Sequence, residues 1–403
     1  MRLEAVSAVL DRRLLSASSA PLAVGLSGGG DSLALLLIAD RWARAKGRRL
    51  LVLTVDHGLN PLSADWTARC GRIAAELGWD FRALAWSGDK PSTGLPAAAR
   101  RARHALLADA AREAGARVIL LGHTADDLAE GAAMRAEGSS VSDPREWSPS
   151  PAWPQGRGVF VLRPMLGLRR AQIRDWLTAQ GRDWVDDPAN EDQRFARSRA
   201  RAGAPQAARV SEPTADTAAP ELQAARWGLL DLPRTLSARS LAAACLSAAG
   251  TDAPPRGERL ERLVDQVRSG LAFTATLAGA RIEAEGDRVL VARNAGEASR
   301  GGLPTLALEP GAAVVWDGRF EITADRPGLS VAALKGRAAR LSRTQQDALR
   351  AVPAVARPAL PVILLPGDGV SCPLLDDETP VRVRALAAER HSAACGLTTR
   401  EPG

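Results

Sequence analysis

A short apolar run, Leu22 to Leu26, leads into Ser27-Gly28-Gly29-Gly30-Asp31-Ser32, after which leucines and alanines recur at helical spacing from Asp31 to Ala45. Strand, glycine-rich turn and helix in that order open a parallel α/β unit. The glycine trio leaves several backbone N–H groups facing one concavity at the positive end of the helix dipole, and such a nest binds phosphate. Ser27 and Ser32 add hydroxyl donors. Asp31 repels phosphate on its own, so its presence points to a bridging Mg²⁺. There is no Walker A lysine and Gly-x-Gly-x-x-Gly does not fit, which sets kinase-like and dinucleotide readings back.

The pattern recurs. Leu50 to Val55 reads as a strand, Ala64 to Leu77 and Ala97 to Ala114 as helices, and Val118 to Leu121 as another strand. Buried parallel strands joined by helices imply an α/β fold with a Rossmann-like, doubly wound parallel sheet. Ser139 to Gly158 is rich in Ser, Pro and Trp without a period and reads as an exposed loop, followed by a helix from Arg169 to Gln180. Val210 to Pro220 carries no large apolar residue after its first position and reads as a linker. The expected organisation is therefore a catalytic domain over residues 1–209, a linker over 210–220, a helical segment over 221–272 and a small β-rich domain over 273–403. The helical segment rests on Arg239 to Ala249 and Arg259 to Gly270. The β-rich part rests on the alternation in Thr274 to Arg293 and Ala312 to Thr323.

No apolar run approaches the length of about 20 residues that a membrane helix needs, and charges interrupt the N-terminal stretch, so a cytoplasmic location is expected. Cys70, Cys245, Cys372 and Cys395 stand far apart with no CxxC pair, as reduced structural thiols do. The net charge of +7 is carried almost wholly by arginine, which suits a polyanionic partner without requiring one.

Further motifs follow the loop in order. Val55-Asp56-His57-Gly58-Leu59 ends the second strand, Ala97 to His104 opens a helix, and Gly122-His123-Thr124-Ala125-Asp126-Asp127-Leu128-Ala129-Glu130 follows Val118 to Leu121. Leu162-Arg163-Pro164-Met165-Leu166, Trp184 to Asn190 and an arginine segment come later. Together these resemble the PP-loop ATP pyrophosphatase superfamily and, within it, the bacterial tRNA(Ile)-lysidine synthase family, over roughly residues 1 to 205. The resemblance implies ATP-driven adenylation of the C2 oxygen of the wobble cytidine in a CAU-anticodon tRNA(Ile). The ε-amine of free L-lysine then displaces AMP.

Residue by residue, the loop Ser27 to Ser32 is expected to hold the pyrophosphate, with Asp31 also a Mg²⁺ ligand. Asp56 and His57, at a strand end, are expected to contact the nucleotide or shape its pocket. Arg100 and Arg103 lie on one helix face, and the resemblance gives them the triphosphate. Asp127 and Glu130 share a face at a helix start; paired carboxylates suit an ammonium, and the resemblance implies lysine recognition there. Asp126 is expected to cap that helix or assist Mg²⁺. His123, at the end of a parallel strand, is assigned to the ATP or adenylate site. Arg194, Arg197, Arg199 and Arg201 are assigned to RNA, and the C-terminal part to tRNA docking.

Departures from the family pattern are His104 in place of tyrosine, Thr124 in place of a second histidine, Ser198 in place of asparagine, and a less glycine-rich run after the Glu130 helix. A tRNA thiolase of the same superfamily is the nearest alternative, but its chemistry usually recruits a cysteine dyad or an iron–sulfur cluster. Amidotransferase relatives would need an ammonia source. An inactive tRNA-binding relative would have no use for converging carboxylates.

Overall fold

The computed structural model describes residues 3–138, 143–186, 222–297, 302–376 and 379–403. The chain divides into two compact units, one of Met1–Pro213 with Thr398–Gly403 and one of Thr214–Leu397.

In the first unit, helix α1 (Leu3–Arg13) precedes β1 (Leu22–Gly25), α2 (Gly30–Lys46), β2 (Leu50–Asp56), α3 (Ser63–Glu76) and β3 (Asp80–Ala85). Then come α4 (Leu95–Glu113), β4 (Val118–Leu120), α5 (Ala125–Ala136), β5 (Trp147–Pro149), β6 (Phe160–Leu162) and α6 (Arg170–Ala179). The strands form one sheet in the order β3-β2-β1-β4-β6-β5, with every neighbour parallel except β5 against β6. The expected doubly wound sheet is present.

Side-chain alternation explains the layers. Leu22, Val24, Leu50, Val52, Val118 and Leu120 join one core with residues of α1, α2, α3 and α6. Ala23, Leu51, Leu53, Ile119 and Leu121 join a second core with residues of α4. With both sheet faces covered, the strands are apolar throughout. Helix α2 is buried almost all round, from Gly30 to Ala39, which leaves little freedom for the loop that precedes it.

The chain runs from β1 outward to β3, then returns to the other side of β1 with β4. The loops after β1 and β4 therefore diverge at a topological switch point, where open α/β sheets place their ligands.

Three strands and α1 escaped the sequence reading. β3 is a half-exposed edge strand carrying Asp80 and Arg82, so it lacks an apolar run. The stretch expected to be loop contains β5, whose Trp147 stacks on Phe160 of β6 at 5.0 Å, so part of it is sheet edge rather than open loop. The final residues also belong here: Glu401 makes two hydrogen bonds with Arg48 at 2.8 and 3.0 Å, and the two side chains are 0% and 1% exposed. Leu15 N donates to Glu401 at 2.8 Å, and the Glu401 N–H donates to the Arg13 carbonyl.

The second unit begins its sheets with β7 (Leu230–Pro233), β8 (Phe273–Leu277), β9 (Ala280–Glu285) and β10 (Arg288–Arg293), ordered β7-β10-β9-β8 and antiparallel. Helices Ala238–Ala249 and Glu258–Arg268 share that sheet's core. In the second helix Leu260, Leu263, Val264 and Val267 are buried, the spacing of one helical face. Strands β11 (Leu306–Leu308), β12 (Ala313–Trp316), β13 (Phe320–Ala324), β14 (Leu329–Ala333), β15 (Pro361–Leu364), β16 (Val370–Ser371) and β17 (Val381–Ala385) form two further sheets. Their orders are β11-β14-β15-β16 and β12-β13-β17.

Candidate active site

β1 delivers the chain into the glycine-rich loop at the switch point. Gly28 has φ +84°, a left-handed conformation that costs glycine least, and its carbonyl accepts from Val185 N at 2.9 Å. Ser32 Oγ donates to the Gly29 carbonyl at 2.9 Å and accepts from Ser27 N at 3.1 Å, locking the loop onto its own helix. Ser27 Oγ stands 3.1 Å from Ser32 Oγ. Gly29 is the N-cap of α2, with an extended backbone at φ −70° and ψ 157°. A Cβ at Gly122, in the loop after β4, would stand 2.9 Å from the Asp31 carbonyl oxygen and 3.0 Å from Ser32 N. Only glycine permits the two loops to approach this closely.

Asp31, the second residue of α2, meets carboxylates from α5 around one guanidinium. Arg170 Nε donates to Asp31 Oδ2 at 3.0 Å and Nη1 to Glu130 Oε1 at 3.0 Å, while Nη2 lies 3.7 Å from Asp127 Oδ2. Glu130 is 2% exposed, and Arg170 sets a guanidinium against its carboxylate. Burial pushes the Asp31 carboxyl above its ordinary range, opposed by the charge of Arg170 and its hydrogen bond. Burial alone would lower the Arg170 pKa, but Asp31, Glu130 and Asp127 outweigh it and raise the value. Asp31 Oδ1 is buried and accepts no hydrogen bond.

Asp127 has a second duty. Its Oδ2 accepts from Thr124 N at 2.8 Å and Thr124 Oγ1 at 3.0 Å, forming a capping box at the start of α5. Thr124 is fully buried, and its hydroxyl is taken up by this cap. Asp126 does not make that box. Its Oδ2 accepts from Arg170 N at 2.7 Å, so it caps the neighbouring helix α6. Ala125 N donates to the Leu168 carbonyl at 2.9 Å and closes the junction.

A second cluster is cationic and imidazole-rich. Burial first, then the charge of Arg163, lowers His123 to a pKa of about 3, so the ring is neutral. Burial, Arg103 and Arg100 lower His104 to about 2. Arg163 is itself lowered to about 9 by burial and by Arg100 and Arg103. Three arginine charges thus act on one buried region, an arrangement that an anion relieves. Arg163 Nη1 donates to the Arg145 carbonyl at 2.8 Å and Ser148 Oγ at 3.1 Å, which anchors it to the β5 edge. Nδ1 of His123 and Nε2 of His104 are buried without hydrogen-bond partners.

Asp56 accepts from Gly58 N at 2.7 Å and shapes the turn after β2. His57 meets Trp86 edge-on at 6.0 Å, and burial followed by Arg103 lowers its pKa. Arg194, Arg197, Arg199 and Arg201 lie outside the described residues, as do Ser139 to Ser142 and the linker.

The family model of the PP-loop domain matches residues 4–206. Along the whole chain, the tRNA(Ile)-lysidine synthase of Caulobacter vibrioides is 56% identical over 410 residues, covering 100% of this chain and 99% of that protein. This chain belongs to the PP-loop family of tRNA(Ile)-lysidine synthases. The namesake from Hyphomonas neptunium is 38% identical over 75% of this chain and 89% of its own length. That of Rhizobium meliloti is 35% identical over 81% and 79%.

Two residues of this family member's site went unassigned in the sequence. Arg170 belongs to a basic pair opening a helix, where the macrodipole disfavours cations, and that local conflict was its signal. Arg163 is a lone charge at the end of an apolar strand, a place that burial makes costly without a task.

Proposed function

We propose that this enzyme ligates L-lysine to C2 of the wobble cytidine of a CAU-anticodon tRNA(Ile) through an adenylated intermediate. The reading is carried by one observation: the phosphate loop and the carboxylates of Asp31, Asp127 and Glu130 converge at the switch point of the sheet. In the first step the cytidine O2 attacks the α-phosphorus of ATP and pyrophosphate leaves. In the second the lysine ε-amine attacks C2, the C2–O2 bond breaks, AMP departs with that oxygen, and the amine gives up its proton. A pyrimidine carbonyl is a poor electrophile, and adenylation turns its oxygen into a leaving group.

The loop amides and Ser27 receive the pyrophosphate, while the Ser32 hydroxyl holds the loop in shape through the Gly29 carbonyl; Arg100 and Arg103 act on the pyrophosphate charge, with Arg163 close to them. Asp127 and Glu130 receive the substrate ammonium. His123 is neutral and too weakly basic to take the amine proton efficiently, so its role is a hydrogen bond to nucleotide or adenylate.

Among the described residues no three His, Cys, Asp or Glu side chains form a ready metal cage. Mg²⁺ commonly needs only one or two carboxylates beside substrate phosphates, and the buried, unpartnered Asp31 Oδ1 fits that use. When bound there it neutralises charge on the departing pyrophosphate. Arg194, Arg197, Arg199 and Arg201 are assigned to the tRNA backbone, and the second unit to tRNA docking.

No helix among the described residues is long and apolar enough to cross a membrane. The activity is placed in the cytoplasm, where ATP, lysine and tRNA meet. The test is incubation of purified protein with ATP, radiolabelled lysine and unmodified CAU-anticodon tRNA. Lysine-labelled tRNA, AMP and pyrophosphate in equal amounts are expected; ATP turnover without labelled tRNA contradicts the reading.

A further inference from the structure

We propose that Arg170 is a positioning residue that couples the nucleotide half of the site to the amine half. The inference rests on the lysine-ligating reading above. A single guanidinium bridges Asp31, which belongs to the phosphate-loop helix α2, and Glu130, which belongs to α5, with both hydrogen bonds at 3.0 Å. Its third edge faces Asp127 at 3.7 Å. The carboxylates come from two helices that follow neighbouring strands; the close approach at Gly122 sets the backbones, and the planar fork of Arg170 ties the two side chains to each other.

The backbone of the same residue is also fixed. Arg170 N donates to Asp126 Oδ2 at 2.7 Å, so α6 is docked on α5 at the residue whose side chain makes the bridge. Three carboxylates face this one guanidinium, so Arg170 by itself does not cancel their attraction for a cation. Its hold on Asp31 uses Oδ2 and leaves the buried Oδ1 without a hydrogen bond. A shift of Asp31 when nucleotide binds therefore reaches Glu130 through two hydrogen bonds and no flexible segment. In this account nucleotide and amine affect each other's affinity, and Arg170 carries that coupling.

A competing role is open to the same geometry: the guanidinium could act as an internal occupant that substrate lysine must displace. The two roles predict opposite signs. Removal of an occupant lowers the lysine KM. Loss of a positioning residue raises it, because the buried Glu130 loses the guanidinium that aims it.

The experiment compares wild type, Arg170→Gln and Arg170→Lys, with circular dichroism confirming that each is folded. A non-hydrolysable ATP analogue with Mg²⁺ is titrated calorimetrically with and without saturating lysine, and lysine KM and kcat are measured in the tRNA-labelling assay. In wild type, lysine should tighten the analogue by about fivefold or more. In Arg170→Gln that ratio should fall to near one, with lysine KM raised by about tenfold or more. Arg170→Lys should recover only part of the coupling, since an ammonium lacks the two directed edges that reach Asp31 and Glu130 together. A folded Arg170→Gln protein that keeps the wild-type ratio, or shows a lower lysine KM, overturns the proposal. So does a wild type that labels tRNA but shows no lysine effect on the analogue. If Arg170→Gln does not fold, full coupling in Arg170→Lys overturns it and partial coupling supports it. A wild type that labels no tRNA refutes the functional reading instead.

Discussion

Replacing Gly122 by alanine drives a methyl group into the backbone of the first turn of α2. The added Cβ would stand 2.9 Å from the Asp31 carbonyl oxygen, 3.0 Å from the Asp31 carbonyl carbon and 3.0 Å from Ser32 N. A comfortable contact needs about 3.5 Å or more, so the two loops must separate by roughly half an ångström. No side chain can swing aside, because every obstructing atom is main chain, and α2 is held by a close-packed core around Leu33, Leu35 and Leu36. Overpacking of this kind costs about 1–3 kcal/mol. The displaced turn carries Asp31 and Ser32, so catalysis suffers beyond stability; misplacement of about 1 Å can cost on the order of a hundredfold.

Gly122→Ala is therefore expected to lower the urea unfolding free energy by about 1–3 kcal/mol. ATP-dependent tRNA labelling should fall by about tenfold or more. Gly29→Ala is the matched control for stability: its Cβ would find nothing nearer than Ser27 Oγ at 3.6 Å, on a backbone with φ −70°. It should unfold within about 0.5 kcal/mol of wild type. If Gly122→Ala matches wild type in both stability and labelling, the close approach of the two loops is not what fixes Asp31.

Other consequences can be checked separately. Asp31→Ala should abolish tRNA-dependent pyrophosphate release, whereas Glu130→Ala should raise the lysine requirement while leaving some adenylation; unchanged lysine dependence in the latter would remove the amine assignment. Glu401→Ala strips a fully buried arginine of its carboxylate and should cost about 3–5 kcal/mol in urea unfolding, far more than the change of a surface ion pair. His104, lowered to about 2 against an ordinary 6.5, stabilises the fold fully above pH 6.5. That stability is lost as pH falls from 6.5 toward 2, by up to about 1.4 kcal/mol per pH unit. His104→Gln should flatten the decline between pH 7 and pH 5, and an unaltered slope would show that the imidazole is not held neutral.

The parallel core was legible in the sequence because β1, β2 and β4 are buried on both faces and so read as apolar runs. β3 was not, since an edge strand with polar residues on its exposed positions has no such signature. The loop Ser27 to Ser32 was readable because its chemistry is local. The roles of Asp126 and Asp127 were not, because a carboxylate at a helix start can cap its own helix or a neighbour's, and only packing decides. Here Asp127 caps α5 and Asp126 caps α6. Arg170 is the plainest case of long-range information: its partners lie 40 to 139 residues away in the chain, so no spacing rule could collect them. Glu401 finds Arg48 across 353 residues for the same reason.

The central claim is that the oxygen at C2 of the wobble cytidine is the atom adenylated and then expelled. A CAU-anticodon tRNA carrying ¹⁸O at that position, incubated with protein, ATP and lysine, tests it directly by mass spectrometry of the AMP formed. AMP enriched by one ¹⁸O for each lysine incorporated is expected. AMP without the label, or ¹⁸O retained in lysine-modified tRNA, contradicts it.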